Sequence, residues 1–215
     1  MKQIIFTNLK KIPLLYNFIK KIYLYFLHIF STYKWLSLAS KKEIFINLGS
    51  GPVKGKDKWI NVDLHGADIC CDLRKGIPLR KNSVNKIYSS HMFEHIPFKE
   101  LEKFIAECYR VLKDGGELSV CVPNARFYID CYLKNEDFKS EFEMFAPAIV
   151  KTGSSIDQLN YIAYLDGLHH YMFDEENLIN TLKLSPFKNV MLRSFDISLD
   201  KQKRKKESIY ASAFK

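Results

Sequence analysis

The chain has 215 residues, 47% of them hydrophobic and 14% aromatic, which excludes a disordered protein and suits one α/β domain with an extension. The net charge of +9 sits at the ends: residues 1–42 hold eight lysines and no acid, residues 201–215 carry +5, and residues 43–200 are left with −4. A core that bound RNA or DNA would be basic across a face, so no nucleic-acid partner is expected.

Residues 4–38 are crowded with Ile, Leu, Phe and Tyr and punctuated by Lys10-Lys11, Lys20-Lys21 and Lys34. One or two helices are predicted, with Pro13 near a start or a kink. The purest apolar stretch, Ile22 to Phe30, falls short of the ~20 residues that a membrane span needs. No small-residue cleavage site follows it, so a cleavable signal peptide is not expected. The lysines do not share one helical face. Three readings stay open: a peripheral membrane contact that buries Tyr23, Phe26, Phe30 and Trp35, docking onto the chain's own core or a partner, and a true span. Residues 1–42 are therefore read as a basic apolar helical extension and residues 43–215 as one domain. The expected location is cytoplasmic, and under the first reading peripheral on the inner face of the cell membrane.

From Glu43 the pattern changes to short apolar runs alternating with helical ones. Ile44–Leu48 reads as a first strand breaking into Gly49-Ser50-Gly51, a loop that lets a ligand approach the backbone. Trp59–Asp63 reads as a second strand ending in an acid, Ala67–Asp72 as a weaker third, and Asn85–Ser90 as a fourth. Phe98–Leu112 has helical period, with Leu101, Phe104, Ile105, Cys108 and Leu112 on one face. Asp114-Gly115-Gly116 is expected to cap it, and Glu117–Val122 to form the next strand. Cys70, Cys71, Cys108, Cys121 and Cys131 are odd in number and lack CxxC spacing. That points to reduced, mostly buried thiols and away from a disulfide or zinc framework.

Alternating strands and helices imply a doubly wound α/β sheet, with the ligand at the carboxyl ends of the strands where strand order reverses. The glycine loop and Asp63 both fall there, and a carboxylate at the end of the second strand can accept hydrogen bonds from both ribose hydroxyls of a nucleoside. A dinucleotide fingerprint wants an acid ~20 residues past the loop. Only fourteen residues separate Gly49 from Asp63, so a nicotinamide dehydrogenase is disfavoured.

Asn47-Leu48-Gly49-Ser50-Gly51, Ile60–Leu64, Asp72-Leu73, Tyr88–Ile96 and Glu107–Leu118 together resemble the class I S-adenosylmethionine-dependent methyltransferases. More narrowly, they are similar to a bacterial subgroup with a shortened first crossover. The segments 169–178 and 207–210 resemble that subgroup's later motifs. The resemblance covers roughly residues 43–213. It implies a three-layer, Rossmann-like, mostly parallel sheet closed by a C-terminal antiparallel hairpin, with S-adenosylmethionine as cofactor. Asn47, Gly49, Ser50 and Gly51 would cradle its methionine part. Asp63 would hold the ribose, Asp72 and Leu73 would lie against the adenine, and Ser89, Ser90 and His91 would line the methyl-donor end. Ser50 stands where many relatives have cysteine, and Asn47 where many methyltransferases have an acid.

An alcohol acceptor needs somewhere to send its proton, and histidine is the usual receiver. His91 and His95 are the candidate catalytic residues; four apart, they share a face if the segment is helical. The competing reading has His95 orienting the loop, with Glu94 paired to it or exposed. His169-His170, with Asp166 and Asp174 nearby, could bind a metal, but spacing alone is poor evidence for one, and none is expected. Asp174 reads as a helix N-cap. Tyr161, Tyr164 and Tyr171 suit either an acceptor-side wall or the core. Residues 127–170 read as an insertion covering the acceptor side.

Asp174–Leu184 reads as a helix, and Asn189–Ser198 and Ser208–Phe214 as an antiparallel strand pair. The turn between them holds Lys201, Lys203, Arg204, Lys205 and Lys206, either a solvated turn or a site for an anionic lipid or glycan phosphate. Two functions follow. One is methyl transfer to a hydroxyl of a small-molecule, envelope saccharide or lipid-linked acceptor. The other is a non-catalytic scaffold of the same fold in envelope assembly.

Overall fold

In this computed structural model the described residues are 22, 26, 29–53, 58–136 and 152–215. Expectations for most of residues 1–28, Tyr23 among them, and for the middle of the 127–170 insertion lie outside them.

Seven strands form one sheet: β1 (Phe45–Leu48), β2 (Trp59–Asp63), β3 (Ile69–Cys70), β4 (Val84–Ser90), β5 (Leu112–Pro123), β6 (Lys188–Leu192) and β7 (Ser208–Phe214). Their order is β3-β2-β1-β4-β5-β7-β6. The pairs from β3 to β5 are parallel, and β7 runs antiparallel to both β5 and β6. Parallel strands covered on both faces need apolar side chains on both. Ile46, Leu48, Val62, Ile87, Val120 and Val122 are accordingly sealed off from solvent.

Register places the site. Leu48 pairs with Val62 on one side and with Ser89 on the other. The loop after β1, the acid that ends β2 and the residues that end β4 therefore share one edge. That edge lies where strand order reverses, between β1 and β4.

Helix packing follows the sequence period. Residues 29–38 are helical (α1), followed by α2 (Phe98–Val111), α3 (Ala125–Leu133), α4 (Ile156–Tyr164) and α5 (Glu175–Leu182). In α2, Leu101, Phe104, Ile105, Cys108 and Val111 face the core. Burial of each large apolar side chain there contributes about 1.5–3 kcal/mol. Asp174 caps α5 by accepting from Asn177 N–H at 2.8 Å.

Four expectations change. Gly115-Gly116 does not end α2, whose C-cap is Leu112. The strand pairing starts at once, with Leu112 opposite Val84, and resumes with Glu117 opposite Lys86. The residues in between form a bulge, where Gly115 takes φ +76° and a Cβ on Gly116 would meet Lys113 O at 2.8 Å. Trp35 is no membrane anchor: it and Leu38 are 4% exposed within the domain core. Ser31 Oγ donates to Cys70 O (2.8 Å) and accepts from Cys70 N–H (3.2 Å), fixing α1 against β3. The end of the extension is thus part of the domain. The β6 strand stops at Leu192, because Arg193 turns inward to a buried acid, Asp200. Finally, the basic turn is only partly solvated: Lys203, Lys205 and Lys206 are exposed, but Arg204 reaches back to the end of β4.

Candidate active site

Beyond β1 the chain turns through Gly49 and Gly51, at φ +71° and +72°, a region that costs a side chain strain. A Cβ on Gly49 would lie 2.2 Å from Met92 Cγ, so the loop and the segment after β4 touch only because it is absent. Nothing lies within 4 Å of a Cβ on Gly51, whose backbone faces open space. Gly51 N–H donates to Asp63 Oδ2 (2.8 Å) and Leu64 N–H to Asp63 Oδ1 (2.7 Å). Each carboxylate oxygen keeps a second lone pair.

A cavity of about 580 Å³ opens over this edge, lined among others by Gly51, Asp63, Leu73, Ser90, His91 and Arg204. It lies within the ~300–1,000 Å³ range of small-molecule sites. A glycine cradle with room for a ligand, an acid at the end of β2 and an apolar wall at Leu73 fit a nucleoside cofactor with a charged tail.

Of the residues picked out by sequence, Gly49, Ser50, Gly51, Asp63, Asp72, Leu73, Ser90, His91 and His95 line this cavity. Two do not. Asn47 turns its amide to the neighbouring strand, donating to Asn61 Oδ1 at 2.8 Å. Ser89 points to the other face of β4 from Ser90 and is 1% exposed. The carboxylate of Asp72 is held by Arg74 through Nε and Nη2, both at 2.9 Å, and this pairing keeps it below the usual carboxylate range.

His91 and His95 reach the cavity, but not as a helical pair. His91 sits at φ +54°, and a short 3-10 turn, Phe93–His95, follows it. Burial holds the His91 imidazole well below its ordinary pKa, hence neutral. Its Nε2 lies 2.8 Å from Ser208 Oγ. His95 Nδ1 donates to Leu168 O at 3.0 Å, and burial lowers its pKa as well. Glu94, between them, is neither exposed nor paired at hydrogen-bond distance: it is 2% exposed, and Nδ1 of His91 and Nε2 of His95 stand 3.9 and 3.8 Å from its Oε1.

Sequence reasoning missed Met92, and named Lys201 and Arg204 only as part of a basic turn, not as part of this cavity. Arg204 Nη1 donates to Ser90 Oγ (2.7 Å) and Ser90 O (3.1 Å), and Lys201 lies on the same wall. The +5 charge of the last fifteen residues was a signal, but nothing in it marked which cation turns inward. Of the three tyrosines, Tyr171 packs against Phe98 and Phe173, Tyr164 is exposed, and none of the three lines this cavity.

Residues 50–120 match a family described as Methyltransferase domain, a span from the glycine loop to the middle of β5. Among solved structures, an S-adenosylmethionine-dependent methyltransferase from Archaeoglobus fulgidus superposes with a TM-score of 0.51 at 11% identity, over 88% of this chain and 94% of that one. A Thermotoga maritima structure, titled a possible histamine N-methyltransferase, gives 0.48 at 16% identity, over 93% and 97%. No curated protein matches the chain. Strand order, the loop-and-acid pair at the switch point and the partial family match define a class I methyltransferase fold. The described residues thus share the fold of the class I methyltransferases, and residues 50–120 match their domain family.

Proposed function

We propose that the chain is an S-adenosylmethionine-dependent methyltransferase that acts on a hydroxyl of a small anionic acceptor, an envelope saccharide or its lipid-linked form, at the cytoplasmic face of the membrane. The observation that carries the reading is one wall of the cavity. A neutral, buried histidine, His91, stands there beside two cations, Lys201 and Arg204.

The cofactor supplies a methyl group already activated on a sulfonium. The chain's own residues then align the partners and exclude water. Gly49 and Gly51 let the backbone approach, and Asp63 fixes the ribose. A neutral imidazole can take the hydroxyl proton, which a protonated one cannot, and Ser208 holds the ring through Nε2. Lys201 and Arg204 suit a phosphate or carboxylate on the acceptor.

The membrane part of the reading is supported by α1. Its inner face docks through Ser31, Trp35 and Leu38, while Ile29, Phe30, Tyr33 and Leu36 are exposed beside Lys34. Such a face suits the interface of an anionic bilayer. Among the described residues no helix is long and apolar enough to cross one.

The test is transfer of label from methyl-tritiated S-adenosylmethionine into separated cell fractions. Label in a saccharide or lipid-linked fraction, as a base-stable ether, is expected. Label confined to protein or nucleic acid, or cofactor binding without turnover on any fraction, overturns the reading; the last result favours the scaffold.

A further inference from the structure

Among the described residues, Glu94 is a buried acid with both oxygens unpartnered. It is 2% exposed, and neither carboxyl oxygen makes a hydrogen bond. A carboxyl group left so costs free energy unless something completes it. Two of the imidazole nitrogens around it present lone pairs rather than protons. His95 Nδ1–H donates to Leu168 O, which leaves Nε2 with the lone pair, 3.8 Å from Glu94 Oε1. His169 Nδ1–H likewise donates to Ile162 O at 2.8 Å, and its ring stands edge-on to that of His95 with centroids 4.8 Å apart. One donor atom from each of Glu94, His95 and His169 lies within 4.8 Å of the other two.

Backbone carbonyls that lock both imidazole tautomers are what hold histidines ready for a metal. The loop carrying His169 is also tied to the turn carrying Glu94, because His170 N–H donates to Glu94 O at 2.7 Å. Both pieces of backbone are fixed, and only side chains need to close. Bonds of about 2.0–2.2 Å to one ion need shifts of roughly an ångström.

We propose that Glu94, His95 and His169 bind one transition-metal dication beside the methyl-transfer cavity. Two imidazoles and a carboxylate suit zinc, manganese, iron, cobalt or nickel rather than calcium or magnesium, which take oxygen ligands. Three protein ligands leave coordination positions open. His95 lines the large cavity, while Glu94 and His169 line a smaller internal space next to Tyr171.

The proposal does not rest on the acceptor reading above, because the metal is read directly. The full chain is stripped with a chelator and equilibrated with zinc(II), and bound metal is measured by elemental analysis. Cobalt(II) replaces zinc for an absorption spectrum. One equivalent is expected, with a cobalt spectrum free of thiolate charge-transfer absorption. Glu94→Gln and His169→Asn should each weaken binding about tenfold or more, with circular dichroism unchanged. His95→Gln removes a ligand from a part-exposed position and should do the same if either buried variant fails to fold. Substoichiometric metal, binding retained in these variants, or a thiolate band from Cys70 or Cys71 overturns the proposal.

Discussion

Asp63 Oδ2 accepts the Gly51 N–H at 2.8 Å, so the acid that ends β2 also closes the glycine loop that follows β1. One carboxylate couples two parts of the cleft. Asp63→Asn keeps the shape but loses the charge and one of two acceptor oxygens. Hydrogen bonds to charged groups contribute about 1.5–3 kcal/mol each. Affinity for S-adenosylhomocysteine should fall roughly 10- to 100-fold, read by titration calorimetry.

The contact between Gly49 and Met92 makes a second prediction. Gly49→Ala adds a Cβ at positive φ and 2.2 Å from Met92 Cγ. The loop must move, at a cost of about 1–3 kcal/mol. The midpoint of thermal unfolding should drop and cofactor affinity with it. Met92→Ala should restore only part of the loss, since Met92 Cβ lies 2.5 Å from the same point.

A third concerns what aims the basic turn. Asp200 is 5% exposed and accepts from Arg193 Nη1 (2.6 Å), Arg193 Nη2 (2.8 Å) and Tyr88 OH (3.0 Å). Removing one member of a buried pair strands the other and costs about 3–5 kcal/mol. Asp200→Ala should destabilise the protein by roughly that much in urea unfolding. It should also free Lys201 and Arg204 from the cavity wall.

Glu107 gives the pH dependence. Its carboxylate accepts from Arg110 Nε (2.7 Å) and Nη2 (2.8 Å) and from Ile77 N–H (3.1 Å). The Arg110 hydrogen bonds hold its pKa below the ordinary 4.5. A lowered carboxyl pKa means that the unfolded chain binds the proton more readily. The stabilisation is full above about pH 4.5 and is lost as pH falls through the folded value. Glu107→Gln should be less stable than the parent at pH 7, and the gap should narrow below pH 4.5, as measured by thermal unfolding across pH.

Much of this was legible in the residues. Clustered glycines after Ile44–Leu48 and an acid fourteen residues on located the cleft, because parallel strands bring their ends to one edge. Asp174 read as a cap because a cap is local chemistry. What was illegible was long-range. Gly115-Gly116 looked like a helix stop, yet the pairing of Leu112 with Val84 ends the helix sooner and puts the glycines in a bulge. For Trp35 membrane contact and docking onto the core both stayed open, because its apolar neighbours hid which face docks. Arg204 and Ser90 are 114 residues apart in sequence and 2.7 Å apart in space. Glu94 read as paired to His95 or exposed, and only the structure shows it buried with neither oxygen hydrogen-bonded.

The most direct test of the cleft is calorimetric titration of the full chain with S-adenosylhomocysteine. One site per chain is predicted, with protection of the Gly49–Gly51 backbone amides from hydrogen exchange on saturation. Absence of binding by the folded wild-type chain, or binding that leaves those amides unchanged, would contradict the placement of the cofactor between the glycine loop and Asp63.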